Sequence, residues 1–176
     1  TGEGGDADYC PSGTYDCAGV CDGSAVVDCS GACGGTAVNC PGWVDIPGDY
    51  QFTASMTAVV YIDGGVMGDA GDMLAAFDDS GNVRGISTML DGLGSYAGQS
   101  LHAITIRSNT SGDAISFRYY DASGDAIYDL KESYTFVSND LVGNLITPHM
   151  LSYCTSGIVD ECGACGDGIP DVVCWD

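Results

Sequence analysis

The sequence predicts an all-β chain: an antiparallel β-sandwich, of jelly-roll or Ig-like type, flanked by short, disulfide-rich repeats dominated by loops. Three observations lead there. Glycine fills 27 of 176 positions, and glycine destabilises helix interiors because it loses the most backbone freedom on ordering. Of 25 acids only Glu3, Glu132 and Glu161 are glutamate, leaving 25 − 3 = 22 aspartates, a residue that bonds nearby backbone and favours turns and caps. Ten cysteines sit at the two ends of the chain, with none between Cys40 and Cys154.

The central region, residues 43–152, reads as strands separated by Gly/Asp/Ser turns. Segments 51–62, 72–77, 82–88, 100–107, 114–120 and 133–137 are enriched in β-branched and aromatic residues with partial alternation. Asp78-Asp79-Ser80-Gly81 and Asp121-Ala122-Ser123-Gly124 are predicted hairpin loops, since Asp and Gly tolerate the dihedrals such loops require. Turn signals recurring at short intervals point to an antiparallel sandwich or jelly roll. No segment sustains a helical period.

Cys10, Cys17, Cys21, Cys29, Cys33 and Cys40 form the first cluster, and Cys154, Cys162, Cys165 and Cys174 the second. Each is even in number and can pair within itself, in any of fifteen connectivities for six cysteines and three for four. The first cluster holds a repeat of twelve residues: Asp16-Cys-Ala-Gly-Val-Cys-Asp-Gly-Ser-Ala-Val-Val27 is followed by Asp28-Cys-Ser-Gly-Ala-Cys-Gly-Gly-Thr-Ala-Val38. Asn39-Cys40 then opens a third copy one residue early. The second cluster echoes the first, with Tyr9-Cys10-Pro11-Ser12-Gly13 reappearing as Tyr153-Cys154-Thr155-Ser156-Gly157. These divisions give an N-terminal Cys-rich module at 1–42, a sandwich domain at 43–152 and a C-terminal Cys-rich module at 153–176.

These Cys-rich pieces resemble short repeats of the form Asp-Cys-x-Gly-x-Cys-Gly-Gly strung between domains in large secreted proteins of bacteria and algae. The central stretch is similar to a β-sandwich domain of such proteins through Tyr50-Gln-Phe-Thr-Ala-Ser-Met56, Asp72-Met-Leu-Ala-Ala-Phe77, Val83-Arg-Gly85, and Ser111-Gly-Asp-Ala-Ile-Ser-Phe117 with Tyr120-Asp121. The resemblance implies an extracellular, surface-associated or matrix role and brings no catalytic residue with it. The chain departs from the repeat at Asp22, where Gly is usual, and at Cys162-Gly-Ala-Cys165, which lacks one residue between the cysteines.

Charge excludes one class of partner. With 25 acids against 4 basic residues the formal net charge is −21, so nucleic-acid phosphates are repelled. There is no run of eighteen apolar residues to span a bilayer as a helix. A start at Thr1 fits a mature chain from which a leader was removed.

Several constellations carry chemical expectations. Disulfides are the expected state of all ten cysteines; a four-thiolate zinc site on Cys154, Cys162, Cys165 and Cys174 is the alternative. Asp63, Asp69, Asp72, Asp78 and Asp79 flank one predicted strand and could gather around Ca²⁺, with Asp16 and Asp28 as a second pair, although no EF-hand spacing occurs; no cofactor is otherwise required. Arg84 is expected to pair with a carboxylate in or beside the sandwich. Asn109-Thr110-Ser111 is a glycosylation sequon in a predicted loop. Tyr119, Tyr120 and Tyr128, if exposed, would form a sugar-stacking platform; as packing residues they would line the sandwich. His102 and His149 lack a nucleophile motif, and no enzyme is expected.

The function these features imply is that of a structural subunit of an extracellular filament or surface layer, joined head-to-tail to copies of itself. The alternative is a secreted adhesive or carbohydrate-binding module, calcium-dependent if the aspartates hold the ion.

Overall fold

A computed structural model describes residues 10–29, 31–157 and 165. Two compact units divide the chain, Thr1–Cys40 and Pro41–Asp176. Strand makes up 46% of the structure, and the described residues contain no α-helix. No helix among the described residues is long and apolar enough to cross a membrane.

The larger unit is built on β1 (Phe52–Ile62), whose Ala54, Met56, Ala58 and Val60 alternate into the core. Asp63 and Gly64 follow with φ of 49° and 81°, the pair of positive dihedrals of a type I′ turn. They return the chain as β2 (Gly65–Met67), which pairs antiparallel with the end of β1. Next come β3 (Met73–Asp78) and β4 (Val83–Asp91), joined by the turn at Asp79-Ser80-Gly81. Asp78 Oδ1 accepts the Ser80 and Asn82 N–H groups, each at 2.9 Å, and so shapes that turn. The remaining strands are β5 (Ser100–Ser108), β6 (Ala114–Asp121), β7 (Ala126–Thr135), β8 (Leu141–Val142) and β9 (His149–Tyr153).

The pairing order is β2-β1-β5-β4-β3-β6-β7, with β8 and β9 added in parallel along the other edge of β1. The result is one sheet curled into a half-barrel. β4 makes the curl continuous: its first residues pair with β3, while Ser87 to Asp91 pair with β5. At the transition a Cβ on Gly85 would lie 2.2 Å from the Thr105 carbonyl oxygen, so only glycine admits this approach of two backbones.

Inside the curl, Met56, Val60, Leu74, Ile104, Ile106, Ile115, Phe117, Tyr119, Phe136 and Leu151 form one buried cluster. Four strands depart from expectation, among them β2 and β8, which lie outside the expected segments. The strand expected at 133–137 instead occupies Ala126–Thr135, and β9, which no local pattern announced, is held by parallel pairing of His149 to Tyr153 with Ala58 to Ile62.

Phe117 is 1% exposed at the centre of the cluster. Phe117→Ala should destabilise the larger unit by about 3–5 kcal/mol, as large-to-small core changes do. Urea denaturation followed by tyrosine and tryptophan fluorescence would measure this, and a loss below about 1 kcal/mol would place the phenyl ring outside the structural core.

Candidate functional site

The cysteines and carboxylates of the smaller unit form a repeating framework. Its bridges join Cys10 to Cys21, Cys17 to Cys33 and Cys29 to Cys40. These spans overlap: Cys17, the first cysteine of its repeat, bonds Cys33, the second of the next, and Cys29 bonds Cys40 at the start of the third copy. The central bridge spans 16 residues and each outer bridge 11, a shortening of 16 − 11 = 5 residues that closes the ladder at both ends.

The backbone repeats with the cysteines. Asp16 N–H donates to Val20 O and Asp28 N–H to Ala32 O; Gly19 N–H reaches Asp16 O and Gly31 N–H reaches Asp28 O; Asp22 N–H reaches Thr14 O and Gly34 N–H reaches Val26 O. Antiparallel bridges at Tyr15 with Cys21 and at Val27 with Cys33 keep the same interval of twelve.

Why the repeat begins with Asp is visible in its carboxylates. Asp16 Oδ1 accepts the N–H groups of Ala18 and Val20 at 3.0 and 2.8 Å, and Oδ2 accepts that of Ala25 at 3.1 Å. Asp28 repeats two of these bonds, from Ala32 and Ala37, each at 3.0 Å. Both aspartates thus do for the loop what a ladder neighbour does for a strand. Glycines keep the space clear: a Cβ on Gly23 would lie 1.9 Å from Asp16 Oδ2, and one on Gly35 2.0 Å from Asp28 Oδ2. The departure at Asp22 is accommodated, because Asp tolerates its φ of 53°, and Ser12 Oγ donates to Asp22 Oδ1 at 2.5 Å.

At the other end Cys154 bonds Cys165, again across 11 residues. The opening loop is the same in both places: Gly13 has φ 71° and donates to Cys10 O at 3.0 Å, while Gly157 has φ 70° and donates to Cys154 O at 2.9 Å. Here the loop is tied to the sheet through Asp63, whose carboxylate accepts the Thr155 N–H at 2.8 Å and its hydroxyl at 2.7 Å. Those two bonds hold the Asp63 carboxyl below its ordinary value. Cys162 and Cys174, named above with the bridges, lie outside the described residues.

Of the aspartates expected as calcium ligands, Asp63, Asp72 and Asp78 serve separate backbone sites. Asp72 is buried; its Oδ2 accepts Tyr119 Oη at 2.6 Å and the Asp69 N–H at 2.8 Å, and its Oδ1 accepts the Ala122 N–H at 2.8 Å. Asp78 takes Arg84 as well as its turn, with a guanidinium nitrogen 2.9 Å from Oδ2. Burial alone would raise the Asp78 carboxyl, but the bonds from Asn82 and Arg84 outweigh it and bring the carboxyl below its ordinary range. No three of Asp63, Asp69, Asp72, Asp78 and Asp79 bring oxygens together at ligand distance; among the described residues the one such group is Cys10, Cys21 and Asp22, whose two sulfurs are already bonded to each other.

Arg84 pairs as expected and is more fully held than its sequence suggested. Its guanidinium also stands 4.5 Å from the centroid of the Tyr50 ring and bonds Arg107 O at 3.3 Å. Asn109 is exposed after β5 and pins the chain that leads into β1: its Oδ1 accepts the Gln51 N–H at 2.8 Å and its Nδ2 donates to Asp49 O at 2.9 Å. A glycan on Nδ2 leaves one hydrogen there, enough for that bond. Tyr119 and Tyr120 are buried and Tyr128 is half-buried, so they pack the sheet and form no exposed platform. His102 is buried in β5 with Nδ1 3.2 Å from Ser87 Oγ, and burial lowers its imidazole's proton affinity.

Comparison with protein-family models, with curated proteins and with solved structures gave no match.

The repeat's carboxylate has a titratable signature. Chiefly because the Val20 N–H bonds its ionised form, and helped by Ala25 and Ala18, Asp16 lies below its ordinary value of 3.8. A carboxyl lowered by folding stabilises the fold fully above the unfolded value and loses that contribution as pH falls through the folded one. Reduction by a phosphine, which acts in acid, should therefore open the N-terminal bridges faster once pH drops below 3.8. Asp16→Ala should reduce quickly at neutral pH with a much smaller acid step. Peptide mapping after alkylation reads both, and equal pH profiles for the two proteins would contradict the assigned role.

Proposed function

We propose that the chain is a structural subunit of an extracellular filament or surface layer, assembling head-to-tail with copies of itself through its Cys-rich ends. The observation that carries this reading is the likeness of those ends. Two loops far apart in sequence share a bridge of 11 residues, a glycine near φ 70° and the same backbone bond to the first cysteine. A framework that closes one bridge onto the next repeat within a chain is suited to stacking like upon like between chains, and such a heterologous contact generates a ring or an open filament.

Two further features support an extracellular setting. Disulfides persist where thiols are oxidised, and four bridges hold the described cysteines. The surface is strongly acidic and repels nucleic acid. In this reading the half-barrel is the sandwich-like body of the subunit, its two halves joined where β4 leaves β3 for β5. Asn109 is its candidate glycan acceptor, and the subunit has no catalytic role.

Electron microscopy and sedimentation of oxidised, native material should reveal linear or ring-shaped polymers that fall apart to monomers after reduction of the N-terminal bridges. Isolated monomers under all conditions would defeat the proposal. Chelator-sensitive glycan binding by such monomers would instead identify an adhesive module.

A further inference from the structure

The curled sheet has a seam. β9 pairs with β1 and β7 pairs with β6, and no hydrogen-bonded ladder joins β7 to β9. Side chains span the interval. The Glu132 carboxylate accepts both the N–H and the hydroxyl of Ser152, each at 2.6 Å. Beside it the rings of Tyr128 and Tyr153 stand 5.0 Å apart between centroids, tilted by 54°. Each ring is half-buried against the core cluster, so packing fixes its position while solvent still reaches it.

The geometry points to Tyr128 and Tyr153 as a site of oxidative modification, where a one-electron oxidant of the haem-peroxidase class, driven by hydrogen peroxide, joins the two rings as dityrosine and closes the seam covalently. The oxidant removes one electron and one proton from each phenol. The two phenoxyl radicals couple through ring carbons ortho to their oxygens, forming one C–C bond, and the hydrogens displaced from those carbons return the rings to phenols. The balance is two tyrosines and one hydrogen peroxide in, one dityrosine and two waters out.

Placement selects this pair. Radical coupling between free partners waits on their encounter, whereas two rings held in contact react at a high effective concentration. The neighbouring tyrosines of β6 and β7 lack the combination. Tyr119 faces Tyr128 across the β6–β7 register, but it is fully buried and its hydroxyl bonds Asp72 at 2.6 Å. Tyr120 is likewise buried and bonds Asp125 at 3.0 Å. Tyr134 directs its hydroxyl to Asp140, also at 3.0 Å. The bond proposed here is internal to one chain, so its test is independent of whether the chain polymerises.

Treatment of the oxidised full chain with a plant haem peroxidase and hydrogen peroxide tests the site. The expected product is a monomer on a denaturing gel, lighter by two hydrogens, with dityrosine fluorescence and a cross-linked peptide joining Tyr128 to Tyr153. Tyr128→Phe and Tyr153→Phe should each abolish that fluorescence from monomer, and Tyr120→Phe should leave it intact. Absence of the cross-linked peptide from wild-type digests, or undiminished monomer fluorescence in Tyr128→Phe, overturns the proposal. A product linked only between chains does so as well.

Discussion

A side-chain carboxylate accepting backbone N–H groups is the interaction on which both units depend. With no α-helix among the described residues and with long loops, many amides lie outside any ladder, and buried or half-buried amides must be paired. Asp16 and Asp28 do this within the repeat, Asp72 and Asp78 at the β3 ends, and Asp121 in the β6–β7 turn. Glu132 does it along β9, whose outer edge has no neighbouring strand among the described residues. The preference for Asp over Glu follows, because the shorter side chain reaches its own neighbouring amides. A large negative charge is then a by-product of how the backbone is satisfied.

The smaller unit shows the same economy in a different form. Cys10 is its one buried hydrophobic residue among those described, and a chain of about 40 residues rarely stabilises itself by burial alone. Cross-linking compensates, at about 3 kcal/mol for loops of this size in the chain-entropy description. Bridges by themselves would leave the intervening glycines free to wander. Three amide bonds to Asp16, together with the missing Cβ of Gly23, give the loop a single shape as well as a closed one.

Much of the sheet was legible in the sequence, and the gaps have physical causes. β1, β3, β4, β5 and β6 fall close to their apolar segments because each buries one face in the shared core. β7 was misplaced because Glu132 sits on its inward face between Leu130 and Tyr134 and breaks the alternation; it points inward to serve Ser152. Asp63-Gly64 is a strong hairpin signal for β2, masked by the fact that Asp63 equally fits a set of ion ligands. β9 depends on distant pairing with β1, which no local pattern encodes. At the Cys-rich end the repeat was plain, whereas its bridge order emerged only when overlapping spans placed each cysteine beside the next copy's partner.

Those overlapping spans have a consequence for durability outside a cell. Every peptide bond between Cys10 and Cys40 is enclosed by at least one bridge. A protease that nicks the unit once therefore severs the backbone without releasing a fragment, and the two pieces stay tethered until a thiol also arrives. Damage at one loop becomes a local scar, much as a snag in chain mail does not shed its neighbouring links.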